Sequence, residues 1–275
     1  MKKTDSIAVS VLLAGVLGLS AGGFLGSQTR FVSGEETEEP AAQETQDTGE
    51  SEELPESLTV VCYGDSNTWG YDPETQARYP YEKRWTTLLS EKLGTGYEVI
   101  PEGLDGRTTA FDPDETRTWQ NGLSHLAPTL ATDNPVDFLV IMLGTEDCRK
   151  ILNVTPEESA DGLDQLITSA ENNCRDIQHD IPTIIVVSPP VILDKFEITI
   201  PEIEFDASSA EKSAQLERLY EEVAKAHNCV FVNPDDSVEV SAADNVHLSE
   251  EGHKALAELL TQVIFEHTPE FESEE

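Results

Sequence analysis

The chain has 275 residues, with 54 Asp plus Glu against 17 Lys plus Arg and a formal net charge of −37 at pH 7. This length suits one sizeable domain with additional tails. The acidic balance argues against nucleic acid and anionic membrane surfaces as partners, because both would repel the chain. It is compatible with simple solubility, with tolerance of salt, or with attraction of cationic or neutral substrates.

The first 30 residues carry the features of an export signal. Lys2 and Lys3 precede residues 6–25, which are almost wholly apolar or small. A basic start followed by an apolar run is typical of secretory signals, and a run of about 20 such residues can also span a bilayer. Residues 1–30 are therefore predicted to be a signal peptide or an N-terminal membrane anchor, with residues 6–25 as the tether in the second case. Both alternatives place the folded part outside the cytoplasmic membrane, secreted or held at the cell envelope.

Acidic segments flank the region with structural patterning. Residues 33–57 contain ten acidic residues, no Lys or Arg, and almost nothing large and apolar. Such a segment cannot bury enough surface to offset the entropy of ordering, and its like charges extend it. Residues 31–57 are predicted to be a disordered linker, and residues 269–275 to be a shorter acidic tail.

Between these segments, residues 58–268 alternate strand-like and helix-like patterns. Several apolar runs are continuous, as expected for strands buried on both faces of a parallel sheet, and the stretches between them are amphipathic with helical spacing. The predicted strands are residues 58–63, 97–101, 136–143, 183–187 and 229–232, and the predicted helices are residues 81–93, 122–130, 156–175, 208–226 and 248–265. Five β-then-α units predict one α/β domain, a three-layer α/β/α sandwich with a mainly parallel five-stranded sheet.

A hydroxyl, an imidazole and a carboxylate occupy positions that suit nucleophilic catalysis. Ser66 follows the first predicted strand at its carboxyl end, the edge where ligands bind in open α/β sheets. A free hydroxyl is barely nucleophilic at neutral pH and needs a base, and His247 is the best of the six histidines for this. Asp244, three residues earlier, can reach the other ring nitrogen and fix its tautomer. The alternative for His247 is a helix-capping or core histidine, and a structural role is also expected for His253.

Four segments around these residues fall in order, each just beyond a predicted strand or before a predicted helix. They are Gly64-Asp65-Ser66-Asn67, Glu102–Thr109, Met142–Asp147 and Asp244–His247. Together they resemble the sequence blocks of the SGNH (GDSL-type) hydrolases. Three further segments are most similar to the arylesterase/acyltransferase branch of that family: Trp69-Gly70, Gly106–Thr109 and Ser188-Pro189-Pro190.

The resemblance covers essentially the whole domain and implies a flavodoxin-like strand order. It implies a serine esterase that hydrolyses, or transfers, short acyl groups from small alcohol, aryl or carbohydrate esters, with no cofactor and no metal. In that family pattern Ser66 attacks the ester, His247 shuttles the proton and Asp244 orients the imidazole. The alternative is a catalytically weak or inactive ligand-binding protein built on the same scaffold.

The predicted oxyanion hole contains one departure from the family pattern. Acyl transfer needs hydrogen-bond donors aimed at the developing oxyanion, and the backbone N–H groups of Ser66 and Gly103 suit this role. The family's third donor is an Asn side chain, and Glu146 stands in its place. Glu146 can stay neutral through burial and donate as an acid, or it can turn outward to pair with Arg149 or Lys150 and leave a slower, two-donor enzyme. The third alternative is that hydrolysis has been lost and a ligand pocket kept.

Other polar and aromatic residues flank the predicted site. Trp69 is predicted to form part of the substrate pocket wall. Arg107 is a candidate pocket residue that could bind an anionic substrate group, and the alternative is that it holds loops through backbone carbonyls. Asp65 and Asp147 are expected to be hydrogen-bond acceptors that hold turns.

Overall fold

The structure, a computed structural model, describes residues 57–193, 205–234 and 237–269. The predicted signal or anchor segment lies outside these residues, as do nearly all of the predicted linker and of the acidic tail, so those three assignments stay predictions. No helix within the described ranges is long and apolar enough to cross a membrane.

Seven strands and six α-helices form the described part of the chain. The strands are β1 (Leu58–Gly64), β2 (Tyr71–Asp72), β3 (Ala77–Arg78), β4 (Tyr97–Gly103), β5 (Phe138–Met142), β6 (Thr183–Val187) and β7 (Val230–Val232). The helices are α1 (Ser66–Trp69), α2 (Trp85–Leu93), α3 (Gly122–Thr132), α4 (Pro156–Gln178), α5 (Ala207–Ala226) and α6 (Glu250–His267).

Five of the strands form one sheet in the order β4-β1-β5-β6-β7. Every neighbouring pair in this sheet is parallel. Counted along the chain within the sheet, this is the flavodoxin-like strand order that the resemblance implied. The remaining strands, β2 and β3, form a separate antiparallel pair.

Helices cover both faces of the sheet and enclose two apolar cores. Residues of α3, α4 and α5 pack in one core, and residues of α2 and α6 pack in the other. Alternate residues of β1 divide between them, with Val61 and Tyr63 in the first core and Val60 and Cys62 in the second. Burial on both faces accounts for the continuous apolar runs in the sequence. The predicted three-layer α/β/α sandwich with a parallel five-stranded sheet is confirmed.

The third strand of the five-stranded sheet along the chain, β5, is shorter than the predicted residues 136–143. At its start, the side chain of Gln178 accepts a 2.8 Å hydrogen bond from the N–H of Val136 and donates one of 2.8 Å to its carbonyl. These contacts occupy the backbone groups of Val136 outside the strand ladder. At its end, Gly144 adopts φ +120°, a conformation that L side chains rarely take and that turns the chain out of the sheet.

A half-buried histidine, His227, joins the end of α5 to α4. The His227 ring lies 2.9 Å from a carboxylate oxygen of Asp164 through Nε2 and 3.2 Å from one of Glu171 through Nδ1. Burial disfavours the charged ring, but hydrogen bonds and charge from the two carboxylates outweigh it and raise the pKa of His227 above its ordinary 6.5. Charged His227 therefore stabilises the fold below that ordinary pKa, and this contribution is lost as the pH rises through the higher folded-state value.

We expect His227→Gln to lower the melting temperature at about pH 5.5 and to leave it nearly unchanged at about pH 9. The effect is expected to be small, because both partners belong to the solvent-facing side of α4. Thermal unfolding of the two proteins at both pH values measures it. His267→Gln, at the exposed end of α6, is the matched control for replacing a histidine with glutamine. An equal loss at both pH values would contradict the prediction.

Candidate active site

A tight turn at the end of β1 presents Ser66. A Cβ on Gly64 would lie 2.0 Å from Thr68 Oγ1, so the turn has room only for glycine. The Asp65 carboxylate caps α1 by accepting a 2.9 Å hydrogen bond from the N–H of Asn67. Ser66 begins α1 at the carboxyl edge of the sheet and is fully buried.

Ser66, His247 and Asp244 come together in one hydrogen-bonded relay. The Nε2 of His247 lies 2.9 Å from the Oγ of Ser66, and its Nδ1 lies 2.6 Å from the Oδ2 of Asp244. The other Asp244 oxygen accepts 3.0 Å hydrogen bonds from the backbone N–H groups of Val246 and His247. Because an ionised carboxylate can only accept, Nδ1 carries the proton and Nε2 is left to accept from the serine hydroxyl. The three side chains predicted from the sequence therefore meet in the geometry of a nucleophile, a base and an orienting acid.

The electrostatics of the relay favour a basic imidazole. Burial lowers the pKa of His247, but the hydrogen bond and charge of Asp244, with added charge from Glu146 and Asp65, raise it above its ordinary 6.5. Burial raises the pKa of Asp244, but its hydrogen bonds to His247 and to the backbone outweigh this and hold it below 3.8. The ring of Tyr71 packs against the imidazole with 4.4 Å between ring centroids.

Asn67 ties the serine turn to the histidine loop, a role that the sequence analysis did not assign. Its Oδ1 accepts a 2.9 Å hydrogen bond from the N–H of Leu248, directly after His247. Its Nδ2 donates to Thr145 Oγ1 at 3.5 Å, and its carbonyl accepts from Trp85 Nε1 at 3.2 Å. The signal available in the sequence was an amide, which can donate and accept at once, next to the candidate nucleophile. Its partners are distant along the chain, so no local pattern identifies them.

Gly103 lies at the carboxyl end of β4, opposite Gly64 of β1. A Cβ at Gly103 would lie 2.3 Å from the backbone nitrogen of Trp69, so only glycine lets β4 approach α1 this closely. The approach places the backbone of Gly103 against the short helix that begins with Ser66. Its role as an oxyanion donor stays a prediction.

Glu146 lies in a 3-10 turn after β5, residues Glu146–Cys148, and is only 5% exposed. Its Oε2 lies 3.0 Å from Nη1 of Arg149. Burial raises the pKa of Glu146, and the charges of Arg149 and His247 oppose that rise. Pairing with Arg149 fits the second alternative above, but the carboxylate stays buried and does not turn to solvent. Lys150 pairs instead with Asp206, at 3.1 Å.

Asp65 and Asp147 hold turns, as expected. Asp147 accepts hydrogen bonds from the N–H and the hydroxyl of Thr109, at 2.9 and 2.6 Å, and from Ser159 Oγ at 2.6 Å. Asp65 caps α1, and its burial together with the charge of Glu146 raises its pKa to about 7. Asp65 and Glu146 are therefore two buried carboxyl groups with raised pKa values whose charges act on His247.

Arg107 is turned toward the backbone. It is 5% exposed, and its Nη1 donates to the carbonyls of Gly64, at 3.0 Å, and Glu102. The guanidinium also lies 4.0 Å from the centre of the Tyr63 ring. These contacts support the alternative in which Arg107 holds loops through backbone carbonyls. The assignment of Arg107 to the substrate pocket stays a prediction. Trp69, the other residue predicted for the substrate pocket, is half-buried. The guanidinium carbon of Arg78 lies over its ring, 5.0 Å from the ring centre.

A hydrogen-bonded serine, histidine and aspartate at the carboxyl edge of a parallel sheet form the catalytic triad of a serine hydrolase. Residues 62–255 match the GDSL-like Lipase/Acylhydrolase family, and the chain belongs to that family. With esterases among its structural neighbours as well, the protein is a carboxylic ester hydrolase of the SGNH type. The resemblance seen in the four sequence blocks is thereby confirmed.

Solved structures of esterases are similar to this chain. The native aryl esterase of M. smegmatis is 32% identical, covering 76% of this chain and 99% of its own, with a TM-score of 0.71. A carbohydrate acetylesterase from Sinorhizobium meliloti is 34% identical, with coverages of 76% and 99% and a TM-score of 0.70. The lipase/acylhydrolase from Enterococcus faecalis is 20% identical, covers 78% and 100%, has a TM-score of 0.56 and supports the fold alone. A comparison with curated protein sequences found no match.

The relay predicts the pH dependence of kcat/KM. His247 accepts a proton only when neutral, so kcat/KM should rise with pH through a pKa above 6.5. Asp244→Asn removes the hydrogen bond and charge that raise this pKa. We expect a fall of roughly 10⁴-fold in kcat and a shift of the acid limb to lower pH. Ester hydrolysis between about pH 5 and about pH 9 measures both effects, and an acid limb that stays in place or moves upward would contradict the assignment.

Proposed function

We propose that this protein is a serine esterase that removes, or transfers, short acyl groups from esters of small alcohols, phenols or carbohydrates. The observation that carries the proposal is the relay from Asp244 through His247 to Ser66, with contacts of 2.6 and 2.9 Å. Each member is in place for a distinct role, and the nucleophile lies at the sheet edge where α/β proteins bind ligands.

In this proposal, Ser66 Oγ attacks the ester carbonyl carbon while His247 Nε2 takes the hydroxyl proton. The carbonyl oxygen becomes an oxyanion, which the backbone N–H groups of Ser66 and Gly103 stabilise. The tetrahedral adduct then expels the alcohol, which receives the proton from His247. Water, or a second alcohol, attacks the acyl-serine by the same route in reverse. Asp244 stays ionised throughout and stabilises the imidazolium.

The surroundings of the nucleophile favour a small acyl group. Ser66 is fully buried, and only 12% of the His247 side chain is exposed. The ring of Tyr71, shortly after α1, covers the imidazole with 4.4 Å between ring centroids. The two neighbours described as a carbohydrate acetylesterase and an aryl esterase support the same substrate range.

The alcohol part of the substrate is expected to be neutral or cationic. Asp65, Asp105, Glu146 and Asp244 are all close enough to the site to influence the pKa of other site residues. This negative surrounding disfavours anionic esters, and the net charge of the chain reinforces it.

A fluorophosphonate probe tests whether Ser66 is an activated nucleophile. Such a probe forms an Oγ–phosphorus bond and loses fluoride only where a base activates the serine. We expect labelling of the wild type and none of Ser66→Ala. Ser188→Ala is the matched control, because Ser188 is another buried serine, directly after β6, and its loss should leave labelling intact. An unlabelled but folded wild type would support the ligand-binding alternative instead.

A series of nitrophenyl esters tests the acyl size. We expect kcat/KM to fall by roughly tenfold or more from the acetate to the octanoate, because the buried hydroxyl leaves little room for a long chain. Acetylated sugars, measured by release of acetate, test the carbohydrate alternative in parallel. A rate that rises with chain length would contradict the short-acyl proposal and would favour a lipase.

A further inference from the structure

We infer that Arg149 is a positioning residue of this esterase: by holding Glu146 in an ion pair, it prevents a buried carboxylate from opposing the negative charge that forms at Ser66. The inference rests on the proposed function, because it concerns the charge that develops during acyl transfer. It assigns a role to a side chain outside the relay of Ser66, His247 and Asp244.

The pair is built into a single turn of the chain. The backbone N–H of Arg149 donates to the carbonyl of Glu146 at 3.1 Å, closing the 3-10 turn. The same two residues meet again through their side chains at 3.0 Å, with 6% of the Glu146 side chain and 14% of the Arg149 side chain exposed. The turn therefore fixes the guanidinium against the carboxylate, out of reach of most of the solvent that would screen it.

Glu146 is electrostatically part of the site. The preceding residue, Thr145, accepts a hydrogen bond from the Asn67 side chain, next to Ser66. The charge of Glu146 raises the pKa of Asp65, before Ser66, and of His247, in contact with it. Because the charge of Glu146 acts on residues on both sides of Ser66, it also repels an oxyanion that forms at Ser66.

Other ionisable groups surround Glu146 in the described part of the chain. Asp65 approaches from the turn after β1, and Asp105, from the loop after β4, adds negative charge that raises the Glu146 pKa. His247, from the loop before α6, is neutral when it acts as a base. Asp147 and Cys148 follow on the same turn, and the charge of Lys212, on α5, acts on these two residues. Arg149 alone among these groups is a permanent cation in contact with the carboxylate.

Removing one partner of a buried pair leaves an uncompensated charge. Without Arg149, an ionised Glu146 would oppose the oxyanion, and only its protonation would relieve the conflict. The loss should therefore depend on pH and on the presence of Glu146. A pair that merely stabilises the turn would show these dependences in the melting temperature and not in the kcat of the folded enzyme. This pairing also gives a physical account of how the chain tolerates a carboxyl group where the resembling family has Asn.

The experiment compares Arg149→Met, Glu146→Gln and the double variant, with nitrophenyl acetate as substrate. We expect Arg149→Met to lower kcat roughly tenfold or more near about pH 8. The loss should shrink as the pH falls and Glu146 protonates. The double variant should recover the rate and the pH profile of Glu146→Gln. Arg149→Lys, which keeps the charge, should retain most of the activity.

Lys150→Met is the matched control. It removes the same charge one position away, from a side chain that is 73% exposed and paired with Asp206, and it should leave kcat and the pH profile unchanged. Thermal unfolding of each variant separates a folding defect from a catalytic one. If Arg149→Met does not fold, the kcat values of Arg149→Lys and of the double variant still test the inference.

Two results would overturn the inference while leaving the proposed function intact. One is a wild-type rate and pH profile in folded Arg149→Met. The other is a double variant as impaired as Arg149→Met, which would mean that the arginine serves the turn and not the carboxylate. Absence of both turnover and Ser66 labelling in the wild type would instead overturn the proposed function, and this inference with it.

Discussion

The register of three parallel strands is the constraint on which the site depends. Gly64 at the end of β1 lies opposite Gly103 of β4 on one side and Met142 of β5 on the other. Because all three strands end at the same level, the turns that follow them meet at one rim. A register shift of one residue would reverse the direction of every side chain in a strand. The apolar cores on both faces hold this register, so the packing of the sheet fixes the geometry of the site.

The histidine loop reaches this rim by a different means, since it does not directly follow a strand of the sheet. Asn67 accepts a hydrogen bond from the N–H of Leu248, which fixes the loop against the serine turn. Asp244 accepts two backbone hydrogen bonds within the loop while it binds the imidazole. A buried, satisfied network of this kind specifies one arrangement, because any displacement leaves polar groups unpaired in a dry environment. The relay is thus prepared before any substrate binds.

The sequence was sufficient for the elements with strong periodicity and for the four polar blocks. The strands of the sheet and the five longer helices lie where apolar runs and amphipathic spacing predict them. Thr155 caps the start of α4. The four-residue helix α1 and the pair of β2 and β3 are too short to have a period. The start of β5 depends on Gln178, which is distant in the sequence. The role of Asn67 likewise depends on partners that only the fold brings close.

Glu146 acts on both charges that acyl transfer creates. As the reaction proceeds, the imidazole becomes positive and the carbonyl oxygen becomes negative, and a nearby carboxylate stabilises the first while it opposes the second. Its charge already raises the pKa of His247, which makes the ring a better base. The balance between the two effects depends on how strongly the Glu146 charge acts on the imidazole and on the carbonyl oxygen. The Arg149 guanidinium, 3.0 Å from the carboxylate, weakens both interactions. An Asn at this position would donate to the oxyanion but would not strengthen the base. With Glu146 in its place, the part of its charge that Arg149 does not offset adds to the basicity of His247. In the proposed mechanism, the backbone N–H groups of Ser66 and Gly103 then stabilise the oxyanion.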